Sequence, residues 1–173
     1  MAETLIVPGL NDSGPGHWQT WFEENLPGTR RVVQRDWVVP WLPEWAARVG
    51  DSLAAAPESV WIVAHSFGCL AAVAAGLDRP AGVRGALLVA PADPDRLLQP
   101  SHLLVGRLAF PSLVVASSND PWVKPAVAER WAGMWGSAYL NVGAAGHINV
   151  ASGHGPWPEG LALFEGLRQA ACV

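Results

Sequence analysis

Apolar residues recur along this chain in two alternating rhythms. Short β-branched runs predict strands at Thr4–Pro8, Arg31–Arg35, Val60–Ala64, Gly85–Ala90, Ser112–Ala116 and Ala138–Val142. Stretches of helical period lie among and after them, predicting helices at His17–Asn25, Glu44–Ala55, Phe67–Leu77, Pro125–Trp135 and Glu159–Ala171. Pro43 and Pro158 suit helix starts, because the first turn of a helix leaves its N–H groups unpaired anyway. Trp61-Ile62-Val63 and Leu87-Leu88-Val89 are apolar without a break, the pattern of strands covered by helices on both faces. Strand–helix alternation of this kind gives an α/β fold built on a parallel sheet with right-handed crossovers. No internal repeat, low-complexity tract or linker interrupts it, so residues 1–173 are expected to form a single domain.

A chain of 173 residues, half of them apolar, has the material for a core without metal or disulfide staples. Its formal charge of -4, with Lys124 the one lysine and no basic run, excludes an electrostatic nucleic-acid binder. Apolar stretches fall far short of the ~20 residues that cross a bilayer, and no secretory signal precedes the first strand. Cys69 reads as a buried thiol and Cys172 as a frayed terminal one. A cytoplasmic location is therefore expected.

In open parallel sheets ligands bind beyond the carboxyl ends of the strands, which directs attention to the residues following each run. After the third strand comes Ala64-His65-Ser66-Phe67-Gly68, entering a helix. This is the strand–turn–helix setting of a nucleophile elbow, with Ala64 in place of the usual first glycine. A serine hydroxyl needs a base that is itself oriented by an acid. His147 follows the last strand in a Gly/Ala-rich loop and Asp120 follows the fifth, in Ser118-Asn119-Asp120-Pro121. The order Ser66, Asp120, His147 is that of α/β-hydrolases. Asp93, after the fourth strand, is the rival acid, and His154 the rival base. His154 lies farther from its strand end than His147, His17 starts the first helix, His102 falls in a surface connection, and His65 is expected to pack away from the hydroxyl. No histidine spacing suggests a metal site. For an oxyanion, the N–H groups of Phe67 and Leu10 are the expected donors.

Val7-Pro8-Gly9-Leu10-Asn11-Asp12-Ser13-Gly14-Pro15-Gly16-His17-Trp18-Gln19-Thr20-Trp21, the Ser66 elbow, Ser118 to Pro121, and Gly146-His147-Ile148-Asn149 through Gly155-Pro156-Trp157-Pro158 resemble the retinoblastoma-binding-protein-9-like (YdeN-type) serine hydrolases over nearly the whole chain. The resemblance implies a compact α/β-hydrolase without a large cap domain. It implies a six-stranded sheet ordered 2-1-3-4-5-6, and Ser66, Asp120 and His147 as the triad. The Leu-x-Cys-x-Glu motif behind the family name surrounds neither cysteine, so no retinoblastoma-protein partner is carried over.

The expected reaction is hydrolysis of a small carboxylic ester, amide or thioester through an acyl-enzyme, with no cofactor. Only about 20 residues connect Pro91 to Pro111, which favours an open cleft and a small soluble substrate. Asn11, Trp37, Trp41 and Trp122 are its expected lining, while Trp18, Trp21, Trp131 and Trp135 fall at core spacing. Two other classes remain. A dinucleotide-binding protein would use Gly14 and Gly16, but the third glycine is missing and the loop is too long. A non-catalytic interaction module on a hydrolase fold is the alternative that only an activity test separates.

Overall fold

The unbroken apolar runs serve two cores at once, because successive side chains of a strand point to opposite faces. Leu5, Val7, Ile62, Ala64, Ala86, Leu88 and Val114 face one cluster; Ile6, Trp61, Val63, Leu87, Val89 and Val115 face the other. The computed structural model, which describes residues 2–171, arranges these runs as β1 (Thr4–Val7), β2 (Thr29–Arg31), β3 (Val60–His65), β4 (Val83–Val89), β5 (Ser112–Ala116) and β6 (Ala138–Asn141). All neighbours pair in parallel, in the order β2-β1-β3-β4-β5-β6. Helices α2 (Leu42–Ala55), α3 (Phe67–Asp78) and α4 (Pro125–Trp135) cover the first face through Trp45, Leu70 and Trp135. Helices α1 (Trp18–Asn25) and α5 (Pro158–Ala170) cover the second through Trp18, Phe22 and Phe164.

Only β5 and α4 keep both predicted ends; most other boundaries shift by one or two residues, and the second strand by more. The second strand is Thr29–Arg31, not Arg31–Arg35. Gly28, in the left-handed region at φ 70°, turns the chain so that Thr29 pairs with Thr4, and β1 offers partners only as far as Ile6 opposite Arg31. Val32 still donates to the Ile6 carbonyl, but the β-branched Val33 beyond it is exposed rather than paired. Helix α2 begins at Leu42, which puts Pro43 inside its first turn rather than ahead of it. By contrast, α4 starts on Pro125 and stops where Gly136, at φ 68°, closes it with a left-handed turn.

The sheet order reverses between β1 and β3, and the crevice above their carboxyl ends is where the loops after β1, β3, β5 and β6 converge. The connection from β4 to β5 carries only a short 3-10 turn, Ser101–Leu104, so no large cap covers that crevice. Among the described residues no helix is long and apolar enough to cross a membrane. Cys69 is fully buried, and burial raises its thiol pKa well above the ordinary value. Cys172 lies outside the described residues.

Candidate active site

Close packing forces the geometry of the turn after β3. The first turn of α3 must pass under the end of β1, and a Cβ on Gly68 would fall against the carbonyl oxygens of Val7 and Pro8. A Cβ on Gly9 would come within 2.9 Å of the Ser66 Cβ. Glycine at both places lets the β1 loop and the elbow touch. Ser66 itself sits at φ 53°, ψ -122°, a region that side-chain-bearing residues avoid at a typical cost of ~1–3 kcal/mol. Its N–H donates to Val89 O at 2.9 Å, and its carbonyl accepts from Cys69 and Ala92 N–H. The strained serine is thereby held half-buried at the floor of a cleft of about 630 Å³.

Two further loops bring their side chains to it. His147 Nε2 lies 2.9 Å from Ser66 Oγ, and His147 Nδ1 lies 2.7 Å from Asp120 Oδ2. Asp120 Oδ1 accepts from the Trp122 and Val123 N–H groups at 2.8 and 3.3 Å, which orients the carboxylate. Its side chain is only 1% exposed. Asp93 lines the same cleft, but its Oδ1 caps its own turn through Asp95 and Arg96 N–H, so it is Asp120 that reaches the imidazole. His154 instead pairs with Ser152 Oγ, and His102 stands exposed on the 3-10 turn.

The N–H groups of Leu10 and Phe67 have no hydrogen-bond partner among the described residues. Asn11 N–H donates to Trp37 O at 2.8 Å, and Asn11 and Asp12 both adopt positive φ, bending the loop over the elbow. Asn11 and Trp122 line the cleft; Trp37 and Trp41 do not. Trp37 packs edge-on against Trp45, 5.7 Å between ring centroids, and so joins the first core. Trp41 caps the start of α2 and projects into solvent. Trp18, Trp131 and Trp135 are buried, and Trp21 packs partly buried on the second core.

Several supports carry no signature of their own in the sequence. Asn119 Oδ1 accepts from Gly146 N–H at 2.7 Å and from Ser117 Oγ at 3.0 Å, while Ser117 Oγ accepts from Ala145 N–H, fixing the loop that carries His147. His65 packs against His17 and Trp18 and makes no hydrogen bond to the Ser66 hydroxyl among the described residues, and its Nε2–H donates to the His147 carbonyl at 2.9 Å. Gln19, fully buried, donates to both Val7 O and Val63 O and accepts from Ser13 Oγ, tying the ends of β1 and β3 together. Arg31 reaches Asp12, Ser13 O, Thr20 and Glu23, and so anchors the β1 loop from outside.

His17, His65 and His147 form a file, with ring centroids 4.9 and 5.0 Å apart. Burial, and secondarily the positive charge of Arg31, lowers the His17 pKa to about 4. Burial also drives the His65 pKa well below its ordinary value, with His17 and His147 adding to it. Both are neutral at pH 7. Among the described residues no three His, Cys, Asp or Glu side chains gather as metal ligands.

The comparisons with known proteins agree with this architecture. Residues 4–166 match the family model described as serine hydrolase. The chain belongs to the serine hydrolase family. This serine hydrolase superposes with TM-score 0.92 on a YdeN-like hydrolase from Pectobacterium atrosepticum, at 36% identity, covering 99% of this chain and 92% of that one. The ydeN gene product of B. subtilis follows at TM-score 0.80 and 20% identity, over 98% of this chain and all of that one, 100%. Est1E from Butyrivibrio proteoclasticus, solved with ferulic acid, shares the fold at TM-score 0.71 and 13% identity, over 98% of this chain and 87% of that one. No curated protein matches the serine hydrolase.

Proposed function

We propose that the whole chain is one catalytic domain that hydrolyses small carboxylic esters, with amides and thioesters as related substrates, through an acyl-enzyme on Ser66. The observation that carries this reading is the unbroken relay from Ser66 Oγ to His147 Nε2 and from His147 Nδ1 to Asp120 Oδ2, at 2.9 and 2.7 Å. Both distances lie within the reach that proton transfer requires.

Ser66 Oγ attacks the substrate carbonyl carbon while His147 Nε2 takes its proton. Asp120 keeps the remaining ring proton on Nδ1 and stabilises the imidazolium that forms. The Leu10 and Phe67 N–H groups receive the oxyanion, and each such donor is typically worth ~10²–10³ in kcat. His147 then gives its proton to the leaving oxygen or nitrogen, the alcohol or amine departs, and the acyl group stays on Ser66. A water molecule, deprotonated by the same imidazole, attacks the acyl carbonyl and releases the acid. The neutrality of His17 and His65 matters here, because a second cation beside His147 would oppose the imidazolium. The buried, unbridged thiol of Cys69 suits a reducing cytoplasm.

Labelling with a fluorophosphonate probe tests the reading. Wild type should label, and Ser66→Ala and His147→Ala should not. Labelling that persists in Ser66→Ala would place the nucleophile elsewhere, and a folded wild type that fails to label would favour the interaction-module alternative.

A further inference from the structure

Two acidic side chains and one arginine line the cleft, and they are not equivalently engaged. Asp12 lines the cleft but is paired with Arg31 at 2.9 Å. Asp93 spends Oδ1 on two backbone N–H groups. Arg96 is different. It lines the cleft, and its Nη1 donates to the carbonyls of Pro121 and Trp122 at 3.2 and 3.0 Å, with its guanidinium 5.8 Å from the centre of the Trp122 ring. These partners fix the plane of the guanidinium yet cancel none of its charge. Its Nε and Nη2 have no partner among the described residues. With His17 and His65 neutral, Arg96 is the one arginine or lysine in the lining among the described residues, held in place with its forked donors unspent.

We propose that Arg96 docks a free carboxylate of the substrate, so that the enzyme prefers esters carrying an anionic group remote from the scissile bond. This specificity rests on the reading of Ser66 as nucleophile. A bidentate guanidinium–carboxylate contact at the cleft edge would supply it, with Trp122 keeping the guanidinium from swinging into solvent. A guanidinium that only ties the 93–99 turn to the loop after β5 would influence neutral and anionic substrates alike.

The experiment compares p-nitrophenyl hexanoate, neutral, with mono-p-nitrophenyl adipate, which carries the carboxylate on the acyl side. The butanoyl ester of 6-hydroxyhexanoate carries it on the alcohol side. Wild type should favour one of the two anionic esters. Arg96→Gln should raise KM for that ester about 3- to 5-fold at low salt, and leave the neutral ester within about 1.5-fold, the size expected of an exposed charge pair. Arg96→Lys, which keeps charge but loses the fork, should recover part of the loss. Equal effects of Arg96→Gln on neutral and anionic esters, or no anionic preference in wild type, would overturn the proposal. Adipate binding to Ser66→Ala, followed by NMR with and without Arg96→Gln, reads the docking site without turnover. Loss of hydrolysis in every ester with adipate still bound through Arg96 would thus sink the catalytic reading and spare the anion site; adipate binding unchanged by Arg96→Gln would sink the anion site alone.

Discussion

Acid should loosen this fold through His17 in particular. The residue is 5% exposed, and its Nδ1 accepts the Gln19 N–H that opens α1, so the native state needs the imidazole neutral. Its pKa of about 4 in the folded protein compares with about 6.5 in the unfolded chain. A depressed histidine stabilises the fold fully above the unfolded value, and that stability is lost as pH falls from about 6.5 towards 4. The whole difference is worth about 3 kcal/mol, of which about 2 kcal/mol disappears between pH 7 and pH 4.5. His17→Asn removes the titration and keeps a side-chain acceptor at the helix start. Urea unfolding at both pH values should therefore show wild type losing about 2 kcal/mol more than His17→Asn. Carboxylates remote from His17 titrate alike in both proteins and cancel in this comparison, whereas His65, lowered in part by His17, is less lowered in the variant and adds to the difference. Parallel stability curves for the two proteins would refute the argument, as would an NMR titration of the His17 ring with a midpoint near 6.5.

Other outcomes follow from the same contacts. Asp120→Asn should lower kcat about 10³- to 10⁴-fold with little change in KM, because an amide cannot hold the His147 proton on Nδ1; steady-state ester kinetics decide it. Gly68→Ala should cost at least about 2 kcal/mol in urea unfolding, since the new methyl meets the backbone oxygens of Val7 and Pro8 rather than a movable side chain. Asn119→Ala should free Gly146 N–H and Ser117 Oγ, lowering kcat about tenfold while thermal unfolding shifts by only a few degrees.

What the sequence made legible was what depends on local pattern. The bounds of β5 and α4 follow from a continuous apolar run and from a proline and a glycine at the helix ends. Ser66, Asp120 and His147 were findable because chain order and strand ends carry that information, and the structure brings them within hydrogen-bond reach. The misplaced β2 shows the limit. Val32 and Val33 look like strand residues, but an edge strand extends only as far as its single neighbour, and that length is written in β1. Trp37 and Trp41 followed the right strand, yet their direction depended on Trp45 and on the start of α2. His65 was legible as a packing residue, and it stands against His17 and Trp18. Its partner, a carbonyl 82 positions later, was not. Gln19 and Asn119 are hidden for the same reason: each stabilises backbone groups that only the finished fold brings near.

Trp18 carries a consequence for how the molecule is made. Its indole N–H donates to Ile148 O at 2.9 Å across 130 positions of chain, and its backbone N–H donates to His154 O. Contacts of such separation cannot form until the chain through residue 154 has left the ribosome. The β1–β3 pairing and the elbow can settle earlier, with the first half of the chain. A nascent chain halted before residue 147 would thus present the strained serine without its imidazole. Competence for chemistry would then arrive abruptly, when the loop after β6 docks on a tryptophan made 130 positions earlier.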